Sequence, residues 1–158
     1  MFDSPERFDS RDVAAYIAQQ CRASGIAYNN TKIQKLLYCV YGVMLAWKDE
    51  RICDEYPRAW TYGPVFPKVF KWIYRGKEIA DYSTAVQDSQ DSSNLKISVR
   101  RVLDVFGRFS ASDLSGWTHK EGSPWWKVIK GEDSASWNSF IPDDYIKEYF
   151  RENVLAKR

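Results

Sequence analysis

Apolar residues return at three- and four-residue intervals over most of this chain, the signature of helices with one buried face. Val13, Ala14, Ile17 and Cys21 form the first stripe, with Ser10 placed to cap it and Gly25 to stop it, which predicts a helix over 11–24. Asn30 or Thr31 opens the second helix. Ile33, Leu36, Leu37, Val40, Met44 and Trp47 make one stripe there, while Tyr38, Tyr41 and Leu45 occupy the other side. A helix apolar around most of its circumference belongs inside a bundle, so this is the expected central helix. The pattern breaks between Asp49 and Tyr62, where Trp60-Thr61-Tyr62 fits a short extended piece and Gly63-Pro64 a turn. Helical spacing resumes at Val65, Val69, Trp72 and Ile73 and ends at Gly76. Pro64 and Pro67 fit because they fall in or before the first turn, where no N–H is needed.

From Asp81 to Asn94 the residues are mostly Ser, Asp and Gln, which predicts a mobile loop over about 81–94, too short to separate two domains. Leu95, Val99, Val102, Leu103 and Phe106 form a further stripe, followed by a short helix from Asp113 to His119 with Ser112 as its cap. Ser123-Pro124 reads as an N-cap followed by proline at the first helical position. After a loop through Trp137, a terminal helix is outlined by Ile141, Tyr145, Ile146, Tyr149 and Phe150. Met1 to Arg7 has no period and is expected as a loose arm. The whole is an all-α expectation: one domain over 1–158 with its core at about 10–152, some seven helices around a buried central one, and little or no sheet.

Composition narrows the function classes. A chain of 158 residues with 44% hydrophobic residues can build one packed core. Its 23 basic against 21 acidic residues leave a net charge of +2, and its pI of 8.4 is below the value above about 9 expected of a dedicated nucleic-acid domain. Nucleic acid is therefore not the expected partner. The longest uncharged run, Leu36 to Trp47, is 12 residues, against about 20 for a membrane span, so no membrane association is expected. The start of the chain carries acids and a proline instead of a secretory leader. Cys21, Cys39 and Cys53 are an odd, widely spaced set, unlike a disulfide framework or a zinc site. Buried thiols in a reducing cytoplasm are the consistent expectation.

Candidate chemistry is sparse. His119 is the single histidine, so any Cys–His or Ser–His mechanism must run through it, beside Cys53 or a carboxylate. At the junction of two short helices its expected role is to orient the loop or finish a helix end. Gly76-Lys77 lacks the rest of a phosphate-binding loop, and Asp143-Asp144 suit a helix N-terminus. No catalytic residue, cofactor or metal is assigned. Lys68, Lys71, Arg75 and Lys77 alternate with Phe66, Phe70, Trp72 and Tyr74. That mixture fits a solvated amphipathic face first, then a protein-binding face, then a single-strand nucleic-acid surface. Seven tryptophans and ten tyrosines suit either a core or interface anchors.

Three motifs carry a resemblance. Ile33-Gln34-Lys35-Leu36-Leu37-Tyr38, continuing to Tyr41-Gly42, resembles the central helix of the SocA-like (Panacea) antitoxin family. Trp60, Tyr62-Gly63-Pro64-Val65 and Pro67 resemble that family's W-x-Y-G-P-V-x-P stretch, and Thr118-His119, Ser123-Pro124-Trp125, Ile146 and Tyr149-Phe150 extend the match. The resemblance spans about Ala14 to Phe150. It implies an all-helical, non-enzymatic domain that neutralises a cognate toxin by direct binding; one family member delivers its toxin to a Clp-type protease, and phage-borne proteins carry the same domain. Some relatives have an N-terminal DNA-binding or zinc-ribbon region, for which this chain has no expected room. The expected partner-binding residues are Trp60, Tyr62, Phe66, Phe70, Lys71 and His119. Gln34, Lys35, Leu37, Tyr38, Gly63, Pro64, Pro67 and Trp125 are expected as scaffolding. The alternatives are a phage-encoded adaptor for a host protein and a nucleic-acid-binding regulator using basic residues of 68–77 and 96–108.

Overall fold

The computed structural model describes residues 7–130 and 138–156. The expected arm, apart from Arg7, and the loop through Trp137 lie outside them. Eight α-helices are present among the described residues: α1 (Ser10–Ala23), α2 (Asn30–Lys48), α3 (Pro67–Tyr74), α4 (Ala85–Asp88), α5 (Ser93–Phe106), α6 (Ala111–His119), α7 (Pro124–Ile129) and α8 (Asp143–Phe150). A 3-10 turn spans Ile79–Asp81, and α8 runs into a π turn at Arg151–Leu155.

The central-helix expectation is met by α2, which packs against α1, α5, α6 and α8. Every residue from Lys32 to Ala46 is buried. The close approach of α8 is possible because position 42 is glycine: a β-carbon there would collide with the Phe150 ring. Asn29 caps α2 by accepting from the Lys32 N–H, and Asp49 ends it in the left-handed region. One core gathers residues from Phe8 to Phe150.

The expectation of an all-α chain needs correction. Three short strands, β1 (Arg58–Trp60), β2 (Gly63–Val65) and β3 (Ser139–Phe140), form an antiparallel sheet in the order β2-β1-β3. Arg58 pairs with Val65 and Trp60 with Gly63, so Thr61-Tyr62 is the two-residue turn and Gly63-Pro64 lies in a strand. Proline fits there because its partner position needs no donor from it, as at a sheet edge. The polar stretch 81–94 contains α4 and a buried Val86 that ties it to the core.

Two caps also differ from expectation. Asp9, not Ser10, caps α1, accepting from the Arg11 N–H, while Ser10 is buried with its hydroxyl on Glu55. Ser110, not Ser112, caps α6. Ser123 caps α7 as expected, accepting from the Trp126 N–H.

Candidate functional site

The motif residues, scattered from position 34 to 125, meet at the β1–β2 hairpin. Gln34 of α2 clamps the strand exit: its Nε2 donates to the Phe66 carbonyl at 3.2 Å, and the Phe66 N–H donates to its Oε1 at 2.9 Å. This amide supplies both partners that a neighbouring strand would otherwise provide. From the next residue of α2, Lys35 Nζ donates to the Pro64 carbonyl at 3.0 Å. From the other side, Trp125 Nε1 donates to the Trp60 carbonyl at 2.6 Å, and Trp60 Nε1 donates to Asn138 Oδ1 at 2.8 Å.

Gly63 is required where it stands. Its φ is +118°, and a β-carbon would sit 3.0 Å from both Lys35 Nζ and Thr118 Oγ1. Thr118 donates to the Ser115 carbonyl, and the buried Ser123 hydroxyl donates to the Thr118 carbonyl, tying the α6–α7 junction to the same spot.

Above this scaffold lies an apolar groove of about 460 Å³, lined by Gln34, Lys35, Trp60, Tyr62, Phe70 and Tyr74 among others. Tyr62 is 79% exposed and Tyr74 80%. Phe70 stacks on Tyr74 at 5.6 Å and meets Trp60 edge-on at 5.1 Å, so the wall is a continuous aromatic ledge. Among the described residues no acidic side chain lines the groove.

Of the residues expected to contact a partner, Trp60, Tyr62 and Phe70 come together here. Phe66 does not: its ring is fully buried against Tyr41 in the core, because the residue before Pro67 points inward as the helix starts. Lys71 is exposed but lies off the groove's lining. His119 is half-buried; its Nδ1–H donates to the Ser115 carbonyl at 2.6 Å and its ring packs edge-on against Trp125 at 4.4 Å. Tyr74 was not expected. Its signal was the spacing of Phe70 and Tyr74, four apart on one helix face.

Among the residues expected as scaffolding, Leu37 and Tyr38 are buried, with Tyr38 edge-on to Phe150, and Pro67 opens α3.

Lys35 is the electrostatic feature of the site. It is only 2% exposed and has no carboxylate partner among the described residues, and burial draws its ammonium down to about 8. Lys68 is tied down by contrast, bonded to Asp9 and Asp54, and Lys77 lies over the Trp72 ring. The buried Cys53 thiol is pushed up to about 12 and contacts the Glu55 carbonyl, which is unfavourable for a nucleophile. Among the described residues no group of three or more His, Cys, Asp or Glu could hold a metal ion, and no helix is long and apolar enough to cross a membrane.

A second, larger groove of about 740 Å³ runs along α5, lined by Tyr16, Lys96, Arg100, Arg101, Asp104 and Arg108 among others. None of the motif residues lies in it.

The family of antitoxin SocA-like proteins with a Panacea domain matches residues 33–126, a span that contains the hairpin, α3 and Trp125. Antitoxin SocA of Caulobacter vibrioides (strain NA1000 / CB15N) is 30% identical over 159 aligned residues, covering 93% of this chain and 85% of the relative. No solved structure matches. With the motifs assembled in space and the similarity running through nearly the whole chain, the protein belongs to the SocA-like Panacea-domain antitoxin family.

Proposed function

We propose that this protein is a non-enzymatic, cytoplasmic antitoxin that neutralises a cognate toxin by binding it through the aromatic groove beside the β1–β2 hairpin. The observation that carries this reading is the exposed ledge of Tyr62 in the hairpin turn and Phe70 and Tyr74 on the adjoining α3, beside a hairpin that Gln34, Lys35 and Trp125 hold from beneath. Large aromatics cost little side-chain entropy when immobilised, and a fixed platform keeps that cost low. Exposed aromatics grouped this way have no role in the fold itself, which their neighbours Phe66 and Trp125 serve from inside. Delivery of the captured toxin to a Clp-type protease would follow as a second step, using the groove's complex as cargo.

The test is co-expression of the tagged protein with the product of the adjacent open reading frame. The reading expects growth rescue and copurification in a fixed stoichiometry. A non-toxic neighbour that fails to copurify would count against it.

A further inference from the structure

We infer that the groove recognises a carboxylate set beside an apolar side chain on the partner protein, with Lys35 as the group that receives the carboxylate. The inference rests on the proposed toxin-binding role of this groove and assigns the chemistry of what enters it.

Lys35 lies in the lining of the groove, nearly inaccessible, between Gln34 and the hairpin. An ammonium has three donors, and the bond to the Pro64 carbonyl uses one of them. Among the described residues nothing anionic lines the groove, whose other members are aromatic, aliphatic, amide or hydroxyl groups. A buried lysine without a counter-ion is costly, and burial has already weakened its hold on the proton. The charge complement is thus left for a ligand to supply.

Lys35 reaches the groove as part of its lining. Gly63 packs over Lys35 Nζ and Thr118 Oγ1 without a side chain, and a β-carbon there would sit 3.0 Å from both. An apolar group next to the carboxylate would lie on Phe70 and Tyr74, which are already stacked as a flat wall. The polar residues Asn30 and Thr31 at the start of α2 close the other side. A carboxylate brought from water to this ammonium makes a charge-assisted hydrogen bond in a low-dielectric setting, stronger than a neutral one. A neutral amide of the same shape would keep the apolar contact and lose that bond.

The test uses the purified, full chain and two small probes, 3-phenylpropionate and 3-phenylpropionamide, titrated at pH 7 with NMR shifts of the Trp60 indole and the tyrosine rings as readout. The acid should bind at least about five-fold more tightly than the amide, and both should move Trp60 and Tyr62 signals. In Lys35→Met the preference should vanish while the amide binds as before. Tyr62→Ala, at an exposed position, should weaken both probes alike and leave the acid preference intact. Equal affinity of acid and amide for the wild-type protein would overturn the inference, as would an acid preference that persists in Lys35→Met. If the acid preference is present but the toxin never binds, the chemistry stands and the proposed function fails. If Tyr62→Ala abolishes toxin binding with no acid preference in the wild type, the function stands and the carboxylate assignment fails.

Discussion

The two grooves of this molecule differ in how they are made. The larger one lies between α1 and α5, lined by Tyr16 and Gln20 of α1, by Lys96, Arg100, Arg101 and Asp104 of α5, and by Arg108 just beyond it. Several of these are already engaged, Lys96 with the Gln87 and Ser89 carbonyls and Arg101 with the Trp47 ring. The smaller groove is assembled from α2, the hairpin and α3, and every wall is fixed by hydrogen bonds that cross 29 to 78 residues of sequence. Size and charge alone would have picked the first. The long-range hydrogen bonds that fix the hairpin against α2 pick the second.

Four experiments can break or sharpen that contrast, taken from the largest expected effect downward. Gln34→Ala strips both partners from the buried Phe66 backbone, and urea unfolding should show a loss of about 4 kcal/mol. A loss below about 1 kcal/mol would mean that the hairpin does not depend on α2.

The buried ammonium gives the second test. Below about pH 8 the folded and unfolded chains both hold the Lys35 proton, and the full burial cost is present. Above it the folded chain releases the proton first, so wild-type stability rises toward the ordinary lysine value near pH 10.5. Burial pushes the thiols of Cys39 and Cys53 the other way, which lowers stability at high pH in any variant that keeps them. Measured against Lys35→Met at each pH, wild type should therefore gain about 3 kcal/mol between pH 7 and pH 10.5. A difference that stays flat would show that Lys35 is solvated.

Gly63→Ala comes third. It places a side chain at positive φ against Lys35 and Thr118, and thermal unfolding should report a loss of about 2 kcal/mol. The smallest effect belongs to the basic groove. Arg100→Ala together with Arg108→Ala, both exposed, should change stability by less than about 0.5 kcal/mol. A larger change would mean that α5 carries a structural network like the hairpin's.

Much of this was legible in the sequence where the determinant is local. The stripe from Ile33 to Trp47 announces a buried helix because apolar residues cover most of its circumference, and α2 is that helix. Ser123-Pro124 opens α7 for reasons contained in two residues. Caps were harder, since Asp9 and Ser10, or Ser110 and Ser112, carry equally good oxygens and only the backbone path selects one. The sheet was hidden for a different reason. Ser139 and Phe140 pair with Ala59 and Arg58 across some 80 positions, and two-residue strands leave no alternation to read. Within the site, Trp60, Tyr62 and Phe70 could be named from their chemistry. Phe66 could not be told apart from them by type, because its burial depends on where Pro67 starts the helix. Lys35 looked like a scaffold residue in a helix motif, and its place in a groove lining becomes visible only once the hairpin is folded over it.

The most direct test of the account sets the two grooves against each other in one binding assay. The toxin copurified from the adjacent open reading frame would be titrated by calorimetry with two double variants, Tyr62→Ala with Phe70→Ala and Arg100→Ala with Arg108→Ala. The account predicts that the first loses about 100-fold or more in affinity, as expected for two interface anchors, while the second stays within about three-fold of wild type. The reverse pattern, with the aromatic variant binding normally and the arginine variant failing, would contradict it.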